Sequence, residues 1–169
     1  MKNLWSPWRS KYIESFKDEQ SNGNCIFCDA VDKDLSDMNN LVVHKSKNIL
    51  ILLNLYPYNN GHLMIVPKRH VGNIESLVVE ELHELMDQIV LAEKVLRKIY
   101  EPHGFNIGAN LGRAGGAGIE EHIHFHIVPR WNGDTNFMPA IGEVKVISQD
   151  LADSKKKLIA GYQEFKDKN

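Results

Sequence analysis

Three histidines, His122, His124 and His126, alternate with Ile123, Phe125 and Ile127 in the run 121–130. A β-strand has a side-chain period of two, so the imidazoles share one face and the apolar residues the other. Imidazole titrates near neutral pH, and three in a row repel one another if charged. Two chemistries suit such a face. Three imidazoles can ligate one metal ion, as in a catalytic zinc centre. A neutral imidazole can instead attack phosphorus and form a phosphoramidate, splitting one difficult displacement into two easier ones when neighbours orient it and neutralise the phosphate oxygens. A metal triad has no use for phosphate-binding apparatus. Yet Asn106, Asn110 and the glycine-dense run Gly112-Arg113-Ala114-Gly115-Gly116-Ala117-Gly118 precede the histidines. Glycine at that density lets backbone N–H groups approach an anion, with Arg113 adding charge. The run opens a strand rather than a helix, so it matches neither the dinucleotide nor the Walker fingerprint. Its place beside the histidines favours phosphoryl or nucleotidyl transfer.

A second chemical feature is Asn24-Cys25-Ile26-Phe27-Cys28-Asp29, which holds both cysteines of the chain. Two thiolates at this spacing face one tetrahedral ion, and structural zinc takes four ligands, so the other two must be histidines. His44, His62, His70, His83, His103 and the triad are the candidates. A redox reading is weaker, because a thioredoxin-type motif opens a helix within a βαβ unit, whereas turn-forming Asp and Asn follow here.

These groups have to be positioned by one domain, since 169 residues suffice for a single core. Lys+Arg 20 against Asp+Glu 22 gives a net charge of -2, which does not support a DNA- or RNA-binding surface. No apolar run approaches the ~18 residues of a membrane span, and Met1 to Trp5 lacks a secretory apolar stretch, so a cytoplasmic protein is expected. Residues 1–20, with Trp5, Trp8, Tyr12, Ile13 and Phe16, form an aromatic arm expected to dock on the body. The polar stretch 32–40 is a loop. Leu41–His44 and Asn48–Asn54 flank Lys45-Ser46-Lys47 as a hairpin, Tyr56–Gly61 is a turn, and His62–Pro67 is a third strand with His70 at its exit. With no helix between them, antiparallel pairing is expected. Val78, Leu82, Leu85, Ile89, Ala92, Leu96 and Ile99 mark one face of a long helix ended by Pro102 and Gly104, with His83 turned outward. Gly104–Asn110 reads as a strand, 122–128 as the triad strand, and 150–167 as an amphipathic helix carrying Leu151, Leu158, Ile159, Tyr162 and Phe165. The expected fold is α+β: a mainly antiparallel sheet of about five strands, one long helix packed on it and a C-terminal helix.

His122-Ile123-His124-Phe125-His126-Ile127-Val128 resembles the signature of the histidine triad (HIT) superfamily, nucleotide hydrolases and nucleotidyl transferases that act on an α-phosphate through a nucleotidyl-histidine intermediate. Asn54–Asn59 with Gly61–Pro67 resembles the family's nucleotide-pocket segment. The N-terminal Leu4–Arg9, the stretch Trp131–Met138 and the tail around Lys145–Ile147 are similar to bacterial diadenosine tetraphosphate phosphorylases. Many members carry a glutamine four residues before the first triad histidine; this chain has Gly118, closer to the phosphorylase branch than to the hydrolases.

The resemblance implies His124 as nucleophile, His126 on the phosphate and His122 organising the triad from its far end. It implies Asn54, Asn110, Gly116 and Gly118 on the nucleotide's side, with His62 behind the triad. Backbone N–H groups near Gly115 to Gly118 are then expected to matter as much as the nucleophile. It also implies a structural zinc held by Cys25, Cys28, His70 and His122, where spacing alone does not choose His70 over His44. A homodimer joining two sheets is implied as well. The substrate would be a dinucleoside polyphosphate with phosphate or water as acceptor; a phosphoramidate hydrolase or a nucleotide sensor with little turnover are the alternatives.

Overall fold

The computed structural model describes residues 25–134 and 149–166; the aromatic arm at 1–20, the stretch 135–138 and the tail around 145–147 lie outside the described residues. In chain order it has α1 (Ile26–Val31), β1 (Val42–Lys45), β2 (Ile49–Leu53), β3 (Leu63–Pro67), α2 (Val79–Tyr100), β4 (Gly104–Ala109), β5 (Phe125–Arg130) and α3 (Leu151–Lys166). The strands form one sheet in the order β1-β2-β3-β5-β4, with every neighbouring pair antiparallel. This is the α+β architecture expected.

The continuous apolar runs of β2 and β3 follow from burial on both faces. On one face Ile49, Ile51, Leu63, Ile65 and Ile127 pack against Leu85, Ile89 and Leu96 of α2 and Leu158 of α3. On the other, Leu50, Leu52, Met64 and Val66 meet Phe27 of α1. Gly161 sets the approach of the two long helices, since a Cβ there would lie 2.8 Å from Ile99 Cδ1.

Three expectations need correction. The buried face of α2 begins later than its apolar period suggested: Val78 and Leu82 are exposed, while Glu81 is buried, paired through its carboxylate with Arg69 at 2.6 and 2.9 Å and accepting the Val78 N–H. Glu81 takes the inward position because its capping and ion-pair partners are there. The triad strand runs from Phe125 to Arg130 rather than over 122–128. Beyond the end of β3 the chain holds His122 and Ile123 by other bonds, with Ile123 N–H donating to the Val71 carbonyl at 2.7 Å. Finally, a short helix does follow Cys25 directly, where turn residues had suggested a loop.

Candidate active site and metal centre

Ile127 of β5 and Ile123 just before it pack into the helix-covered core, whereas His122 and His124 lie against Phe27. His122 is wholly buried. Its Nε2 lies 2.7 Å from the Pro67 carbonyl oxygen; a carbonyl only accepts, so this nitrogen carries the proton and Nδ1 the lone pair. Nδ1 faces Cys25 Sγ at 3.2 Å and Cys28 Sγ at 3.6 Å, while His70 Nδ1 lies 3.3 Å from Cys28 Sγ. The four ligand atoms sit within 4.8 Å of one another. Metal bonds of about 2.3 Å to sulfur and 2.0 Å to nitrogen in a tetrahedron place the two about 3.5 Å apart, close to the three sulfur–nitrogen distances seen here. The Pro67 carbonyl supplies the outer hydrogen bond that such a ligand histidine needs.

His44, the rival ligand, is on the wrong side of the sheet. The ladder slips between Val42 and His44, and His44 stacks on Tyr162 of α3 with ring centroids 4.6 Å apart. Burial, reinforced by Cys25, pushes the Cys28 thiol up to about 11. A redox-active thiol needs the opposite shift, whereas a bound cation would bring the thiolate back.

His124 is buried to 6% exposure. Its Nδ1 donates to the His122 carbonyl at 2.9 Å, which leaves the lone pair on Nε2. Burial lowers its pKa, against the opposing pull of that hydrogen bond, so the neutral form prevails. His126 is set the other way. Tyr58 N–H donates to His62 Nδ1 at 3.0 Å, so His62 must carry its proton on Nε2, and that nitrogen lies 3.0 Å from His126 Nδ1. His126 therefore accepts at Nδ1 and presents an N–H at Nε2. Burial and then the neighbouring His124 lower its pKa to about 4. Two histidines two residues apart, with rings 5.0 Å apart and edge-to-face, thus offer a nucleophilic lone pair and a hydrogen-bond donor.

A cleft of about 590 Å³ opens beside His126, lined among others by Tyr58, Asn59, Asn106, Gly108, Asn110 and Arg130. The expected nucleotide-side residues distribute unevenly around it. Asn110 lines it, and its Nδ2 reaches the Gly116 carbonyl at 3.5 Å. Gly115 lines it too, but Gly116 and Gly118 do not. The N–H groups of Gly115, Gly116 and Ala117 donate within the glycine turn to Gly112 and Arg113 carbonyls, so they are not aimed at an anion in this conformation. Asn54 is buried and its Oδ1 accepts the Tyr56 N–H at 2.9 Å. His62 is fully buried and meets the cleft through the lining residues His126 and Tyr58. Sequence reasoning placed Asn59 in the pocket segment without singling it out, and missed Arg130 and Phe27. Arg130 was findable, because it continues the period of two from His126 through Val128; Phe27 comes from a distant segment and gives no local signal.

A HIT domain family model matches residues 36–133. An AP-4-A phosphorylase of Mycobacterium tuberculosis is 42% identical over 161 residues, covering 94% of this chain and 83% of that protein. An uncharacterized HIT-like protein of Methanocaldococcus jannaschii is 33% identical over 126 residues, covering 75% of this chain and 93% of that protein. Among solved structures, a Zn-bound histidine triad family protein from Mycobacterium smegmatis superposes with a TM-score of 0.69 at 24% identity, over 86% of this chain and 98% of that one. The chain belongs to the HIT domain family.

Proposed function

We propose that this HIT-family enzyme transfers a nucleotidyl group from the α-phosphate of a dinucleoside polyphosphate, diadenosine tetraphosphate foremost, through a nucleotidyl-histidine intermediate on His124. The observation that carries the reading is the pair of opposite tautomers, a lone pair on Nε2 of His124 and a proton on Nε2 of His126. Attack by His124 Nε2 on the α-phosphorus breaks its bond to the bridging oxygen, which leaves with the remaining nucleotide. The ring then carries the nucleotidyl group on Nε2 and a proton on Nδ1. The His122 carbonyl, already bonded to that proton, stabilises the resulting positive charge. His126 N–H serves a phosphate oxygen. Inorganic phosphate or water next takes the adenylyl group, giving ADP or AMP. The name of the 42% identical relative supports phosphate as acceptor. Incubation with diadenosine tetraphosphate, with and without phosphate, followed by chromatography tests this: ADP and ATP should appear with phosphate. AMP and ATP under both conditions would make the enzyme a hydrolase, and no conversion would contradict the reading.

The metal of the Cys25, Cys28, His70 and His122 cluster is zinc in this reading, in a closed structural site that ties α1 to the catalytic segment. Homodimer formation through β4 is part of the same reading. It is supported by the position of β4 at the sheet's edge, by exposed Ile107, and by Val79, Leu82, Met86 and Val90 exposed on α2.

A further inference from the structure

The period of two that produces the triad continues past it. His126, Val128 and Arg130 share one face of β5, and on β4 Gly108, Asn106 and Gly104 stand directly opposite them. At about 3.4 Å per residue, Arg130 lies about 14 Å along the strand from His126. In the other direction Phe27 of α1 closes the face, its ring centroid 4.9 Å from that of His124. Along β5, the open direction from the reacting atoms therefore runs from His126 to Arg130, under the cleft of about 590 Å³.

The lining of that cleft is chemically biased. It has the amides of Asn59, Asn106 and Asn110 and the guanidinium of Arg130, and no carboxylate among the described residues. The nearest acid, Asp134, supports the guanidinium: its Oδ2 accepts Arg130 Nε at 2.6 Å and Asn59 Nδ2 at 2.7 Å, and its Oδ1 accepts Arg130 Nη2 at 2.8 Å. Arg130 Nη1 donates to Asn106 Oδ1 at 2.8 Å. Three of the five guanidinium N–H groups are thereby committed to aiming the side chain. Two remain, together with the Nδ2 donors of Asn106, on a side chain 43% exposed.

Fixed neutral donors beside one oriented cation, with no carboxylate among the lining residues and two guanidinium N–H groups not taken up by Asp134 or Asn106, suit a chain of phosphates. We propose that this trough holds the leaving polyphosphate of the substrate, with Arg130 and Asn106 as its specificity residues and Asp134 positioning Arg130. The inference rests on the nucleotidyl-transfer reading of His124, which places the α-phosphate at the trough's inner end. It predicts discrimination by the length and charge of the leaving group.

Two measurements test it on the full chain. Inorganic tripolyphosphate is titrated calorimetrically into wild type, Arg130→Gln and Asn106→Asp, the last being isosteric and exposed. Its affinity should fall about tenfold in each variant. In parallel, kcat/KM for diadenosine tetraphosphate is divided by that for the p-nitrophenyl ester of AMP, whose leaving group has no phosphate; this ratio should also fall about tenfold. Equal tripolyphosphate affinity in all three proteins, or equal loss for both substrates, overturns the proposal. Loss of tripolyphosphate affinity in the variants of an enzyme that turns over neither substrate would uphold the trough and refute the nucleotidyl-transfer reading instead.

Discussion

His124 just precedes β5 and His126 lies within it, and a single hydrogen bond to each gives the two imidazoles opposite tautomers. The His122 carbonyl forces the proton of His124 onto Nδ1, while the Tyr58–His62 relay forces that of His126 onto Nε2. The arrangement holds only while both rings are neutral. His126 has its pKa lowered from 6.5 to about 4 by burial. A group with a depressed folded pKa gives stability that is complete above its unfolded value and is lost as pH falls, because the unfolded chain takes up protons first. Tm should therefore be level above about pH 6.5 and decline between there and about pH 4. Thermal melts across that window should show a shallower decline in His126→Asn. Parallel curves for the two proteins would mean that the burial of His126 contributes nothing to the pH dependence.

At the scale of elements, the site depends on how the segment after β3 packs against the approach to the triad. A Cβ on Gly72 would lie 2.9 Å from the Glu120 backbone oxygen and 3.5 Å from Glu121 Cα. Backbone cannot swing aside as a side chain does. Gly72→Ala should cost about 1–3 kcal/mol in urea unfolding and lower kcat; wild-type stability would show that the 120–121 segment yields freely. The candidate metal cluster spans the same junction, since His122 belongs to it and its carbonyl accepts the hydrogen bond that orients His124. His70→Ala should lose bound zinc by atomic absorption while His44→Gln keeps it, and the reverse would move the ligand across the sheet. Much of this was legible in the chain. Alternation exposed the triad face, and steps of three and four exposed most of α2. Spacing could not choose between His44 and His70, because the choice is made by a slip of the ladder at Val42–His44. Nor could it show Asn59 bonded to Asp134, 75 residues away, since that contact exists only once the turn before β3 meets the exit of β5.

For the molecule as a whole, the sheet leaves β4 as an edge next to the cleft, with Asn106, Ile107 and Gly108 exposed. An edge of this kind invites pairing with a second copy. Solution scattering should give twice the chain mass of 19.3 kDa, and Ile107→Lys should halve it. A wild-type mass of 19.3 kDa would leave the edge without its partner. No described helix is long and apolar enough to cross a membrane. The mass-action consequence of pairing is a Tm that rises with protein concentration.

The central claim is covalent, and it is tested by trapping. Wild-type enzyme mixed with diadenosine tetraphosphate in the absence of phosphate, quenched within one turnover and read by intact mass spectrometry, should carry one adenylyl group that peptide mapping places on His124. The same experiment on His124→Ala should give no adduct while nucleotide binding persists. An adduct on another residue, or turnover by His124→Ala at the wild-type rate, would contradict the account.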